Sequence, residues 1–129
     1  MSKPTTMGSF ILQKITKKSE DSFALAEMYY SILSVINSLK LTNREIQLLA
    51  YSAVKGNLSN ANVKEGFKNK YDTSLPTVTN IISRLRKIGV LIKKDRKIII
   101  NPVIALDFQQ EVHLNIRLYA EAKQEVPNG

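Results

Sequence analysis

The sequence has no cysteine and no tryptophan, a single histidine and only five glycines in 129 residues. Without cysteine there is neither a disulfide framework nor a thiolate-ligated metal site. His113 stands alone in a stretch that reads as an amphipathic helix, where a surface or packing role suits it. The acidic residues are scattered, and no pair has the spacing that general acid–base work needs. No glycine-rich phosphate loop, metal-ligand cluster or nucleophile motif is present. The expectation is a protein that is not an enzyme and that holds no metal and no cofactor. Apolar runs all fall short of the roughly 18 residues that suggest a membrane span. The opening stretch, "MSKPTTMGSFILQKITKK", lacks the long apolar core and small-residue cleavage site of a secretory signal. These absences suit a cytoplasmic protein with no membrane partner.

What is present is basic charge, unevenly placed. The net charge is +8 and the pI about 9.8, which favours anionic partners, nucleic acid first. Residues 64–97 hold ten of the basic residues against Glu65, Asp72 and Asp95, an excess of seven in 34 residues. A hydrophobic fraction of 43% is ordinary for a globular chain, and the length suits one domain with helical extensions.

Residues 1–22 read as an N-terminal arm that a partner could order, and "FILQKITKK" within it as a short strand or an amphipathic piece. Residues 23–40 form a helix candidate. Phe23, Ala26, Tyr29, Leu33 and Ile36 make its apolar face, with Glu20 and Asp21 at the end the helix dipole favours for acids. "LTNREIQLLAYSAVKG" is the clearest helix, with Thr42 and Glu45 at capping-box spacing, Ile46, Leu49, Ala50 and Ala53 inward, and Gly56 as the stop. "NLSNANVKEGFKNKYD" reads as a short helix capped by Ser59 or Asn60, with Val63 and Phe67 inward. "TSLPTVTNIISRLRKIG" reads as another, capped by Thr73 or Ser74, with Pro76 in its first turn. Its buried stripe is Val78, Ile81, Ile82, Leu85 and Ile88, and Gly89 ends it. "VLIKK" and "KIII" follow as two short strands joined by a tight turn, closed by Asn101 and Pro102. In residues 103–129, Phe108, Val112, Ile116 and Tyr119 are spaced for a C-terminal extension of one helix or two, with residues 107–123 as its helical span. The expected fold is mainly α with a small β-hairpin.

The order helix, helix, helix, hairpin over residues 41–102 resembles a winged helix-turn-helix domain. "SLPTVTNIISRLRKIGVL" looks much like the corresponding stretch of bacterial winged-helix regulators and of some plasmid replication initiators. In the initiators an Asn-Pro soon after the wing is also familiar. The resemblance implies double-stranded DNA as the ligand, residues 75–88 as the recognition helix and residues 91–101 as the wing. The helices outside residues 41–102 match no family pattern, and extend the domain at both ends.

At about 100° per residue, the stripe opposite the buried one carries Pro76, Asn80, Ser83 and Lys87, flanked by Thr77, Thr79 and Arg84. Near the helix start, Ser74, Thr77 and Asn80 are the candidates to reach base edges, Asn80 through a bidentate bond to adenine. Thr73, Arg84, Lys87, Lys93, Lys94, Arg96 and Lys97 are the candidates for phosphates. Thr73 and Ser74 have a second reading as caps alone, Thr77 and Asn80 as a solvated face, and the hairpin lysines as protection of a sheet edge. Lys64, Lys68 and Lys70 are further backbone candidates. The expected role is a bacterial, plasmid or phage regulator or replication accessory protein, dimeric through helices 23–39 and 107–123. The rival expectation is a winged-helix docking component of a larger assembly, such as a phage particle or a nucleoprotein complex.

Overall fold

The computed structural model describes residues 21–115 and residue 120. Four helices precede a two-stranded antiparallel hairpin: α1 (Ser22–Ile36), α2 (Asn43–Lys55), α3 (Ala61–Lys70), α4 (Leu75–Lys87), β1 (Leu91–Lys94) and β2 (Lys97–Ile100). A 3-10 turn, Pro102–Ile104, follows the hairpin. The N-terminal arm of residues 1–20, with the "FILQKITKK" segment, lies outside the described residues, as does most of the stretch after residue 115.

Each helix begins where a short polar side chain replaces a missing backbone partner. Asp21 caps α1 through the Phe23 amide. Thr42 and Glu45 form a complete capping box on α2, the Thr42 hydroxyl accepting from the Glu45 amide and the Glu45 carboxylate from the Thr42 amide. Asn60 caps α3 and Ser74 caps α4, which selects one residue from each pair of candidates. The ends are equally local. α1 stops at Ile36 rather than running to residue 40. Asn37 bonds back to the Leu33 carbonyl through both its amide and its side chain, and Ser38 turns to a φ of 53°. Gly89 takes a φ of 82° between α4 and β1, a conformation that favours glycine.

The core forms where α2 crosses the other helices. Leu48, Leu49, Leu58, Phe67, Val78, Leu85 and Leu91 are fully buried, each worth about 1.5–3 kcal/mol of burial. A chain of rings runs along one side: Phe23 stacks on Tyr51 at 5.5 Å, Tyr51 meets Phe67 at 5.7 Å, and Phe67 meets Tyr71 at 4.7 Å. Gly66 lets α3 approach this chain, because a β-carbon there would overlap the Tyr51 hydroxyl. The face of α1 turned inward carries Ala26, Tyr30 and Ser34, with Phe23, Tyr29 and Leu33 beside them, whereas Ile36 is 52% exposed.

The expected helix over residues 107–123 is not formed in its described part, residues 107–115. Asp107 instead makes a turn of its own, its carboxylate accepting from the Gln109 amide and its carbonyl from the Gln110 amide. That turn buries Phe108 against Tyr29 and Tyr30, at 5.5 and 5.9 Å. The Phe108–Val112 spacing thus serves a strap across α1, not a helix face. The Tyr30 hydroxyl fastens the strap's start by donating to the Ile104 carbonyl at 3.0 Å.

Candidate nucleic-acid interface

α4 and the hairpin form a single continuous unit. Residues 88–90 join them, and three bonds close the joint: Val90 amide to Leu85 carbonyl, Asn101 amide to Val90 carbonyl, and Asn101 side chain to Gly89 carbonyl, all at 2.9–3.0 Å. Asn101 is therefore a clamp at the hairpin's base as well as the residue that ends β2. The hairpin's far strand is pinned to the loop before α3. The Leu58 amide donates to the Ile98 carbonyl at 2.8 Å, and the Ser59 hydroxyl accepts from the Ile98 amide and donates to the Arg96 carbonyl. Sequence reasoning offered Ser59 only as a helix cap, since nothing local in the chain signals a bond across 39 residues.

The candidate base readers lie at the start and outer face of α4. Ser74 is both cap and neighbour: its hydroxyl accepts from the Thr77 amide at 3.2 Å and shares a 2.9 Å bond with the Thr77 hydroxyl. Both hydroxyls remain exposed. Thr73 is half-buried, its amide tied to the Lys68 carbonyl. Asn80, Ser83 and Lys87 are exposed and make no side-chain bond among the described residues, while Val78, Ile82 and Leu85 fill the opposite side. Ile88, assigned by sequence to the buried stripe, is 40% exposed because α4 ends at Lys87.

The basic residues divide into two groups. Arg84, a phosphate candidate, is held by Glu45 at 2.9 Å, its side chain 44% exposed against 6% for the glutamate. The Glu45 carboxylate thereby caps α2 with one oxygen and anchors α4 with the other. Lys68 pairs with Glu65 at 2.9 Å, and the Lys70 ammonium sits over the Phe23 ring at 4.6 Å and the Tyr71 ring at 5.5 Å. Lys87, Lys93, Lys94, Arg96 and Lys97 are exposed with no carboxylate or ring partner among the described residues. Arg86 joins them, a residue sequence reasoning left unassigned because it lies beside the buried stripe rather than opposite it.

The hairpin register sharpens this. Lys94 stands directly opposite Lys97, and the turn between them is only Asp95 and Arg96. Like charges so placed destabilise a strand pair. Both turn residues take positive φ, 52° and 67°, the two-residue geometry that matches strand twist but that Asn-Gly adopts with less strain. The tip therefore accepts repulsion and backbone strain while keeping three cations together.

Among the described residues, no group of three or more His, Asp or Glu could hold a metal, and no helix is long and apolar enough to cross a membrane. His113 meets only Glu111, on an exposed segment. Comparison with protein-family models, curated proteins and solved structures returns no match.

Proposed function

We propose that this protein binds double-stranded DNA as a winged helix-turn-helix, with α4 entering the major groove and the hairpin acting as a wing on the adjoining backbone. The observation that carries the reading is the group of unpaired cations at the hairpin tip and the end of α4, above all Lys94 facing Lys97. A row of phosphates relieves that repulsion, and release of condensed counterions supplies the binding free energy.

Each part has a task. Lys93, Lys94, Arg96 and Lys97 contact phosphates from the wing, and Lys87 with Arg86 contact them from the end of α4. Arg84 contributes its free guanidinium edge while Glu45 fixes its position. Asn80 reads a base edge, with adenine the natural partner for its amide. Thr77 offers a hydroxyl or methyl at the first turn. Ser74 serves the helix first, as its cap, and bases second. Thr73 lends its hydroxyl to the backbone at the turn. The role is that of a regulator or replication accessory protein.

Selection of bound duplexes from a random pool tests the reading. We expect a defined motif, and we expect Asn80→Ala to relax one position of it while the rest survives. A pool that stays random after repeated rounds contradicts sequence-specific binding.

A further inference from the structure

The hairpin is held at two heights. At its base, bonds among Leu85, Gly89, Val90 and Asn101 fasten it to α4. Nearer the tip, β2 is held from outside by residues 58 and 59. The Leu58 amide donates to the Ile98 carbonyl at 2.8 Å, and the chain then leaves for α3, capped by Asn60. The Ser59 hydroxyl completes the edge. It accepts from the Ile98 amide at 2.9 Å and donates to the Arg96 carbonyl at 3.3 Å. Among the described residues, no other side chain bonds either strand or the turn between them.

The two groups that Ser59 holds flank a single residue. The Arg96 carbonyl precedes Lys97 and the Ile98 amide follows it, so one hydroxyl fixes the peptide planes on both sides of Lys97. Lys97 in turn faces Lys94, and the Asp95–Arg96 turn between them keeps two positive φ angles. Repulsion and backbone strain both work to open the tip. The hydroxyl opposes them at the Arg96 carbonyl itself. Ser59 is anchored in its own right, because its amide donates to the Asn57 side-chain oxygen at 3.0 Å.

With duplex DNA as the partner proposed above, on which this step rests, we infer that Ser59 is a positioning residue for the wing. It presets Lys97, and through the strand register Lys94, for a row of phosphates, and it does not touch the DNA itself. A tip already set before binding has less freedom to lose when it meets its partner. Without the hydroxyl, the same cations are present but must be ordered in the complex, and affinity falls by that cost. Ser59 therefore acts only through the cations it places.

Anisotropy titrations of a labelled duplex with the full chain test this in two backgrounds. In the wild-type background, we expect Ser59→Ala to lower affinity about three- to tenfold. Ser59→Thr keeps the hydroxyl and should bind within about twofold of wild type. In a background of Lys94→Gln with Lys97→Gln, Ser59→Ala should be nearly silent, since nothing remains at those positions to be placed. Hydrogen exchange on the free protein adds a readout that needs no DNA. The Ile98 amide should exchange faster in Ser59→Ala, while the Leu49 amide in the core keeps its wild-type rate. Ser59→Ala binding like wild type overturns the inference and leaves DNA binding standing. An equal loss in both backgrounds also overturns it, because the hydroxyl would then act on the DNA directly. So does faster exchange at Leu49 as well as Ile98, which makes Ser59 a general support of the fold. A wild type that binds no duplex overturns the DNA reading and this inference together.

Discussion

Helix α3 and the hairpin are both rich in lysine, and they use it in opposite ways. On α3, Lys68 is answered by Glu65 within the helix and Lys70 by the rings of Phe23 and Tyr71, which ties the end of α3 to α1. On the hairpin, Lys93, Lys94, Arg96 and Lys97 are answered by nothing among the described residues, and two of them face each other across the strands. A count of charge along the sequence treats both segments as one basic block. The structure separates cations paired within the fold from cations left unpaired among the described residues, and α4 repeats the division within one helix: Arg84 is tied to Glu45, and Lys87 is free.

The sharpest way to break this comparison is to neutralise each side in turn. Changing Lys93, Lys94, Arg96 and Lys97 together to Gln should lower affinity for duplex DNA by about 10²–10³-fold near 0.15 M salt. Changing Lys68 and Lys70 to Gln should lower it by less than about tenfold. Fluorescence anisotropy with a labelled duplex reads both. If the α3 variant loses as much as the hairpin variant, the division of the cations is wrong.

The next effect concerns what α3 is held against. Gly66→Ala pushes a methyl group into the Tyr51 hydroxyl and should cost about 1–3 kcal/mol, read as a fall in the urea midpoint with little change in DNA contacts. Within α4, Arg84→Ala leaves the Glu45 carboxylate buried without its cation. With Arg84 itself half-exposed, about 1–2 kcal/mol is the expected loss. Lys87→Ala should leave stability unchanged and weaken DNA binding instead. Equal thermal midpoints for these two variants would erase the distinction between tied and free.

Smaller again is Arg96→Gly at the turn. Relieving a positive φ should stabilise the hairpin by up to about 1 kcal/mol while removing one phosphate contact, so stability and affinity move in opposite directions. The smallest effect lies at α1 and the turn after α3. Burial, and then the neighbouring Glu27 carboxylate, push the Tyr71 hydroxyl up from 10.0 to about 12. Its neutral form is favoured in the folded chain, so its share of stability is intact below pH 10 and is lost as pH rises through about 12. Tyr71→Phe should flatten that alkaline decline. Tyr30, raised by its own burial, leaves a decline in the background of both proteins.

Much of the fold was legible because its signals are local. The Thr42–Glu45 box, the cap before Pro76, the stripe from Val78 to Leu85 and the Gly89 stop each lie within a turn or two of helix. What was not legible depends on distant partners. The Phe108 spacing matched a helix, yet its side chain is buried by Tyr29 and Tyr30, nearly eighty residues earlier, and Asp107 turns the chain to allow it. Of the candidate site, the exposure of Asn80, Lys87 and the hairpin cations was legible from helical phase and charge. The capture of Arg84 by Glu45 and the pinning of the hairpin by Ser59 were not, since only the packed fold brings those residues together.

The most direct test of the proposed DNA contact is the salt dependence of duplex binding, compared between wild type and the four-fold hairpin variant. Plotting the logarithm of affinity against that of salt concentration, we predict a wild-type slope that the variant makes shallower by about three to four, one for each phosphate contact removed. A slope that stays the same when Lys93, Lys94, Arg96 and Lys97 are neutralised, or a wild type that binds duplex no better than about millimolar at low salt, would contradict it.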